Sequence, residues 1–195
     1  MSERVTPAAG GRNGALRIMG PESRGMVTLR ADLADETIAA ALGDVLPLGV
    51  PGRREGRHDG AKGALWMSPD ELLLLCERDG AGALVARIGE ALDGLHHLVA
   101  DMSDARAVFT LEGEEYREVL AKLGPADMSP RGLAHGEVRR TRLGQIPAAL
   151  WLRGDTRAEV ICFRSVAGYL HDLLWQAAAP GGRVGYFQRA DGPPA

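Results

Sequence analysis

The sequence predicts an α+β protein in which helices pack on one side of a largely antiparallel sheet. Between residues 25 and 177, short apolar runs of strand length alternate with segments whose apolar residues recur every three or four positions. The chain has 195 residues, of which 45% are hydrophobic and 25% charged, as in an ordinary globular protein. A chain of this length can bury a core without a structural metal or disulfides.

The first half of this span predicts the order β-α-β-β-α-β. In MVTLRADL, Val27, Leu29 and Leu33 alternate with polar or small residues, as in a half-buried strand. Asp35 follows as the N-cap of a helix. The apolar residues of the two predicted helices fall at helical spacing: Ile38, Ala41, Leu42 and Val45, then Ala81, Leu84, Val85, Ile88, Ala91 and Leu92. With the strand HHLVADM after the second helix, this order matches a ferredoxin-like sheet.

The segment GALWMSPDELLLLCE, which lies between those helices, has two interpretations. Ser68, Pro69 and Glu71 suit the first turn of a helix, with Ser68 as its N-cap. The same residues also suit a turn between two strands. The hairpin is preferred, because the apolar run LLLLC is continuous and then stops.

The second half predicts a β-α-β-β-β-α unit. AVFTL is a strand, and the helix after it places Tyr116, Val119, Leu120 and Leu123 on one face. Glu118 and Lys122 are predicted to pair on the solvent side of that helix. Three strands, EVRRTRL, PAALWLR and AEVICF, follow. Ser165 is the predicted cap of a final helix with the buried stripe Val166, Leu170, Leu173, Leu174 and Ala177.

The two ends of the chain predict little regular structure. Residues 1–24 and 178–195 are rich in Gly, Pro and Ala, so we expect a flexible N-terminal arm and a C-terminal tail around one domain of residues 25–177. The two halves of that domain are too interleaved to fold independently. Residues 47–63 predict one long loop, whose basic residues Arg53, Arg54, Arg57 and Lys62 are interpreted as solvated. Arg140 and Arg142 should lie on one face of an exposed edge strand.

Charge and composition exclude several classes of protein. The net charge of −3 and the lack of a basic face argue against nucleic-acid binding. The sequence shows neither the apolar region of a signal peptide nor the ~20 apolar residues that span a bilayer. Cys76 and Cys162 both lie in apolar runs and are interpreted as buried, reduced thiols. The predicted location is the cytoplasm.

Familiar catalytic and metal-binding motifs are missing from the sequence. It contains no GxSxG, Walker A, HExxH, CxxC or GxGxxG pattern. His96 and His97 are adjacent on a predicted strand and so point to opposite faces, while His58, His135 and His171 have no ligand at a suitable spacing. We therefore predict no catalytic residue and no metal site.

The densest polar cluster is VADMSDARAVFTLEG, which lies between two predicted strands. It contains Asp101, Ser103, Asp104 and Arg106. One interpretation is a structural corner, in which Asp and Ser bind local backbone N–H groups and Arg106 pairs with a carboxylate. The other is a ligand pocket, with Asp101 or Asp104 as the acid and Arg106 or Arg164 meeting an anionic tail. The first interpretation is favoured.

The same cluster resembles a known superfamily. Asp101-x-Ser103, Leu111-x-Gly113, Leu120 and Asp127 together are similar to the amino-terminal signature of aminomethyltransferases, which include the glycine-cleavage T-protein. Four segments resemble the gamma subunits of heterotetrameric sarcosine oxidase in order and spacing: ALWMSPDELLLL, VADMSDARAVFTLEG, REVLAKLGPADMSPRGL and RSVAGYLHDLL. Leu72 and His171 depart from that pattern, because both stand where an aromatic residue is usual.

The resemblance implies a fold and a role. The fold would be that of folate-binding aminomethyltransferases, and the role that of an accessory subunit without a catalytic site or cofactor of its own. FAD and FMN would lie on the beta subunit, and NAD and the tetrahydrofolate-binding domain on the alpha subunit, on which this chain would dock. The alternative is a stand-alone folate-binding protein or folate-dependent aminomethyltransferase, and a third possibility is an unrelated interaction module.

Overall fold

The computed structural model describes residues 11–14, 16–182 and 184–188. Its elements in chain order are β1 (Gly11–Asn13), β2 (Leu16–Glu22), β3 (Gly25–Ala31), α1 (Glu36–Val45), β4 (Gly56–Asp59), β5 (Lys62–Ser68), β6 (Glu71–Cys76), α2 (Ala81–Ala91), β7 (His97–Asp101), β8 (Arg106–Glu112), α3 (Tyr116–Leu123), β9 (Val138–Leu143), β10 (Ile146–Gly154), β11 (Arg157–Phe163) and α4 (Ala167–Ala177). Short 3-10 turns lie at Arg78–Gly80, Arg164–Val166 and Tyr186–Gln188. The α+β class is confirmed.

The strands form two sheets, where the sequence predicted one. The strand orders are β1-β2-β8-β11-β10-β9 and β4-β5-β6-β3-β7. The chain divides into two units accordingly. Unit 1 contains the described residues within Met1–Glu22, Ala107–His135 and Arg140–Ala195, and unit 2 contains Ser23–Arg106 and Gly136–Arg139. Each unit has its own hydrophobic core, because two amphipathic helices cover the strands of each sheet.

Unit 2 has the predicted β-α-β-β-α-β order, with β4 added at one edge. The order β5-β6-β3-β7 is that of a ferredoxin-like sheet, and the pairings of β3 with both neighbours are antiparallel. Asp35 caps α1 as predicted, since its Oδ1 accepts the N–H of Thr37 at 2.7 Å. The core side chains of the sheet and both helices include Val27, Leu29, Ile38, Leu42, Leu72, Leu74, Ile88 and Leu92.

The ambiguous segment of unit 2 is the predicted hairpin. β5 and β6 pair in antiparallel fashion, with Trp66 opposite Leu72 and Ser68 opposite Glu71. Residues 69 and 70 make the turn, and the hydroxyl of Ser68 donates to Asp70 at 2.5 Å. The continuous LLLLC run is therefore a strand that is buried on both faces.

Unit 1 contains the predicted β-α-β-β-β-α order from β8 to α4, preceded by β1 and β2. Helices α3 and α4 pack on the sheet through alternate residues of its strands. The core includes Leu16, Ile18, Phe109, Leu111, Tyr116, Leu120, Leu150, Val160, Leu170 and Leu174. β9 lies at one edge of the sheet with Arg140 and Arg142 exposed, as predicted.

The expected N-terminal arm contains regular structure. Leu16–Glu22 is a strand, and its antiparallel pairing with β8 puts Arg17 opposite Glu112 and Ile18 opposite Leu111. The prediction of an arm over residues 1–24 was therefore wrong for this part of it. Leu16 and Ile18 alternate as strand residues do, but flanking Gly and Pro residues obscured so short a pattern. Residues 1–10 lie outside the described part of the chain.

The predicted long loop of residues 47–63 is also wrong over its second half. Gly56–Asp59 forms β4, which pairs with Lys62 to Leu65 of β5. The Arg57 guanidinium binds Glu55 twice, at 2.7 and 2.9 Å, and donates to the carbonyl of Leu48 at 3.1 Å. These bonds hold the pKa of the Glu55 carboxyl below its usual value. The charged residues therefore build an edge hairpin.

Two side-chain predictions on the helices of unit 1 were wrong. Glu118 and Lys122 do not form the expected pair, because Glu118 binds the chain beyond α4 and Lys122 binds the last residue of α4 and the chain after it. Glu118 is buried and accepts the N–H groups of Val184 and Gly185, while Lys122 donates to the carbonyls of Ala177 and Gly182. Part of the expected tail is therefore anchored on α3.

The predicted cap of the last helix is also displaced. Ser165 lies inside the 3-10 turn Arg164–Val166, and Val166 is the N-cap of α4 without a side-chain hydrogen bond. The 3-10 turn leads directly into α4, so Ser165 lies one residue before the N-cap and cannot act as the cap. Among the described residues, no helix combines the length and apolar character needed to cross a membrane.

Candidate functional site

The predicted polar corner lies in unit 2, directly after β7. Asp101 Oδ1 accepts the backbone N–H of Ser103 at 2.9 Å and its hydroxyl at 2.5 Å. The Ser103 hydroxyl oxygen in turn accepts the N–H of Met26, at the start of β3, at 2.9 Å. Met26 and Ser103 are both buried, so this contact satisfies an N–H group that water cannot reach. The Ser103 hydrogen bonds lower the pKa of the Asp101 carboxyl.

Arg106 and Glu71 form a second contact at the corner. Glu71, at the start of β6, is only 4% exposed and binds two arginines. Its Oε1 accepts from Arg106 at 3.2 Å, and its Oε2 accepts from Arg30 at 3.1 Å. Asp104 is exposed and accepts from Arg78 at 2.6 Å. Each predicted corner residue of unit 2 therefore binds another part of the same unit.

The fifth candidate, Arg164, lies in unit 1, in the 3-10 turn before α4. The local bonds of Asp101, Ser103 and Arg106 match the structural corner described above, with Asp and Ser bound to backbone N–H groups and Arg106 to a carboxylate. Assignment of these residues to a ligand stays a prediction.

The two cysteines are free thiols and poor nucleophiles. Burial raises the pKa of Cys162 to about 11. Cys76 is half-buried, and its thiol pKa is raised first by burial and then by the nearby carboxylates of Asp101, Glu77 and Asp79. Since the thiolate is the reactive form, neither side chain is set up for covalent catalysis at neutral pH.

The histidines do not gather with other ligand-type side chains at one site in the described part of the chain. His97 lies in β7 and His96 just before it, while His135 and His171 each lie near one carboxylate, that of Asp155 at 3.4 Å and that of Asp172 at 3.3 Å. Among the described residues, no group of three His, Cys, Asp or Glu side chains is placed to hold a metal ion.

A charged cluster in unit 1 is the site that the sequence interpretation missed. Glu159, in the middle of β11, is fully buried, and its Oε1 lies 2.6 Å from Arg153 and 3.7 Å from Arg157. Arg153 stacks on the Trp151 ring at 4.8 Å, and Arg157 also reaches Glu112 at 3.6 Å. An acid within the otherwise apolar strand AEVICF is the signal that could have revealed this cluster, since buried carboxylates need partners.

A concave surface lies in each unit. In unit 2, a groove of about 250 Å³ lies among residues of α1, β5, β6 and α2 and is mostly apolar. In unit 1, a cleft of about 230 Å³ lies beside Glu118, Lys122 and the segment Ala177–Gly181. Both are small for a folate-sized molecule, because such ligand pockets ordinarily hold 300 to 1,000 Å³.

The fold belongs to the aminomethyltransferase class. The glycine cleavage system aminomethyltransferase T of Bartonella henselae superimposes with a TM-score of 0.59 over 83% of this chain and 46% of that protein, at 16% identity. This likeness concerns the fold alone.

The family follows from closer comparisons. The model of the sarcosine oxidase gamma subunit family matches residues 30–180, and the chain belongs to this family. It is 38% identical, over 118 residues, to the sarcosine oxidase subunit gamma of Corynebacterium sp. (strain U-96). That alignment spans 60% of this chain and 56% of the relative's length. A chain of the heterotetrameric sarcosine oxidase from Corynebacterium sp. U-96, in complex with pyrrole 2-carboxylate, matches with a TM-score of 0.79 and 28% identity. This match covers 91% of the present chain and 90% of the other.

Proposed function

We propose that the chain is an accessory, non-catalytic gamma subunit of a heterotetrameric sarcosine oxidase. The observation that carries this proposal is the match over 90% of a chain in the Corynebacterium complex, together with family membership. In this role the chain assembles with alpha and beta subunits, docking on alpha. FAD, FMN, NAD and tetrahydrofolate are bound by those partners. The complex converts sarcosine to glycine and transfers the one-carbon unit to tetrahydrofolate.

The contacts of the polar corner support the absence of a folate site in this chain. A pterin ring requires a carboxylate that can accept its N–H groups. Asp101 already accepts both the N–H and the hydroxyl of Ser103, and Arg106 is bound to the buried Glu71. Releasing these groups for a ligand would leave the Ser103 N–H and hydroxyl and the Glu71 carboxylate less well satisfied, at a cost of about 1–3 kcal/mol for each group.

Isothermal titration calorimetry of the purified chain with tetrahydrofolate tests this part of the proposal. We expect no saturable heat at micromolar protein. Micromolar binding that Asp101→Asn abolishes would contradict it and favour the alternative, a stand-alone folate protein. The matched control is Asp127→Asn, because Asp127 accepts a similar N–H from Ser129 at 2.8 Å in an exposed turn of unit 1.

We place the contact with the partner subunit on unit 1. Five of the six large apolar side chains that are exposed in the described part of the chain lie on this unit. They are Phe163, Tyr169, Trp175, Val184 and Tyr186. Tyr169 is 59% exposed on α4, and Phe163, at the end of β11, is 50% exposed. Exposed aromatic side chains are enriched in protein interfaces because they bury a large area at low entropic cost.

The double variant Phe163→Asp/Tyr169→Asp tests this surface. It should reduce co-purification of the chain with its partner subunits by at least tenfold and leave the thermal midpoint of the isolated chain nearly unchanged. Ala86→Asp, at an exposed position of α2 in unit 2, is the control and should co-purify normally. Normal co-purification of the double variant would exclude this surface while leaving the subunit role intact.

A further inference from the structure

The four edge strands of the two sheets are protected to different degrees. Unpaired edge strands promote association with other strands, and proteins usually shorten, charge or cover them. β1 has three residues, and β9 carries Arg139, Arg140 and Arg142. β4 is charged, and the residue that precedes it, Glu55, forms an isolated antiparallel β-bridge with Glu137. The fourth edge, β7, has the sequence His97-Leu98-Val99-Ala100-Asp101, without Lys, Arg or Pro.

The free side of β7 presents apolar surface and backbone hydrogen-bonding groups. Leu98 is 53% exposed. Ala100 is paired with Thr28 of β3, and the N–H of Met102 donates to the carbonyl oxygen of Met26 at 2.7 Å. Because hydrogen-bonded positions alternate in an antiparallel pair, Leu98 and Ala100 direct their backbone groups toward β3. The backbone groups of His97, Val99 and Asp101 therefore face away from the sheet, and no strand in the described part of the chain pairs with them.

We propose that this edge is a self-association site, at which a second copy of the chain pairs its own β7 with this one in a two-fold, antiparallel arrangement. With Val99 opposite Val99 of the second copy, all three outward-facing residues find hydrogen-bonding partners. His97 and Asp101 exchange bonds with Asp101 and His97 of that copy. Leu98 then lies opposite Ala100, where a large apolar side chain meets a small one.

The charges of the strand fit this register in particular. It places an imidazole directly opposite a carboxylate at each end of the pair. The Nδ1 of His97 lies 2.9 Å from the carbonyl oxygen of Leu95 and must carry the proton of that bond. Nε2 remains to donate to Oδ2 of Asp101 in the second copy, because Oδ1 accepts both bonds from Ser103. A five-residue strand pair buries less than the roughly 1,200 Å² of a stable interface, so the dimer is weak and depends on concentration.

Val99→Pro is the most selective variant, because proline removes the outward N–H of Val99 and none of the hydrogen bonds to β3. Val99→Ala is its control, since it removes a similar part of the side chain and keeps the N–H. Sedimentation velocity from about 1 to about 100 µM, the range in which a weak interface changes occupancy, should show a growing dimer fraction for wild type and Val99→Ala. Val99→Pro should remain monomeric.

A pair of charge variants tests the register. His97→Lys places a permanent cation opposite Asp101 and should tighten self-association by at least threefold, whereas His97→Glu should weaken it at least as much. A wild-type chain that stays monomeric at all concentrations would overturn the proposal. So would equal dimerisation of Val99→Pro and Val99→Ala. If the chain is monomeric and Val99→Pro instead reduces co-purification with partner subunits, the occupant of the edge is a partner's strand and not a second copy. Self-association is measured on the isolated full chain and is independent of the subunit role.

Discussion

The two units satisfy their polar groups in different ways. In unit 2, the corner after β7 combines a local bond, between Asp101 and Ser103 two positions away, with a distant one from the N–H of Met26 to the Ser103 hydroxyl. In unit 1, the buried Glu159 reaches Arg153 on the neighbouring strand, and Glu118 reaches Val184 and Gly185 more than sixty residues away. A local bond can be anticipated from a short motif such as Asp-x-Ser. A long-range bond requires the fold.

The same difference predicts how strongly each site affects stability. A carboxylate buried with its arginine cannot be replaced by water when one partner is lost. In the corner of unit 2, the exposed Asp101 carboxylate can be rehydrated, whereas the buried N–H of Met26 cannot. Breaking the buried Glu159–Arg153 pair of unit 1 should therefore cost more than removing one neutral hydrogen bond from the corner of unit 2.

The largest effect is expected at Glu159. Glu159→Gln leaves the nearly buried Arg153 without its countercharge and should lower the free energy of unfolding by about 3 kcal/mol. Chemical denaturation followed by circular dichroism measures this change. The double variant Glu159→Leu/Arg153→Met should recover most of the loss, because neither charge then remains buried. A loss below about 1 kcal/mol for the single variant would show that the pair is effectively solvated.

A smaller effect is expected at Ser103. Ser103→Ala leaves the buried N–H of Met26 without an acceptor and should cost about 1–2 kcal/mol. Ser68→Ala is the matched control, because its hydroxyl serves only an exposed turn, and it should cost less than about 0.5 kcal/mol. Equal losses for the two variants would mean that the corner contributes no more than an ordinary turn.

The anchor of the C-terminal segment is expected to act locally. Glu118→Gln weakens the bonds from the N–H groups of Val184 and Gly185, so these two amides should exchange with deuterium roughly tenfold faster. Exchange in β10 should stay unchanged. Glu114→Gln, at an exposed position before α3, is the control. Unchanged exchange at residues 184 and 185 would contradict the anchoring role of Glu118.

The smallest effect concerns pH. The folded-state pKa of Asp101 is lowered by Ser103, so its contribution to stability is present above the unfolded pKa of about 4 and is lost as the pH falls through the lower folded value. Asp101→Asn should therefore be less stable than wild type at pH 7, with the difference shrinking below pH 4. Denaturation at a series of pH values checks this, and a difference that persists at pH 2 would argue against the carboxylate as its source.

Much of the fold could be predicted from the sequence, because most elements have a clear period. Ile38, Leu42 and Val45 identify α1, and the unbroken LLLLC run identifies β6. The strand β2 was missed because its two core residues, Leu16 and Ile18, are too few to outweigh the surrounding glycine and proline. The edge strand β4 was missed because its charged residues resemble those of a loop.

The candidate sites were predictable to a lesser extent. The corner contacts of Asp101 and Ser103 follow from local hydrogen-bonding rules. The partners of Glu118 could not be predicted in this way. Helical spacing indicated a pair with Lys122, and nothing in the sequence pointed to residues 184 and 185. The Arg153 partner of Glu159 could not be predicted without the register of β10 and β11. In that register, Trp151 lies directly opposite Glu159.

The most direct test of the subunit role is co-expression of this chain with the alpha and beta subunits from the same organism, followed by affinity purification through a tag on this chain. We expect that both partners co-elute in a fixed ratio and that the purified assembly oxidises sarcosine, while the chain alone does not. Recovery of the tagged chain without either partner, from cells in which alpha and beta form an active enzyme, would contradict it.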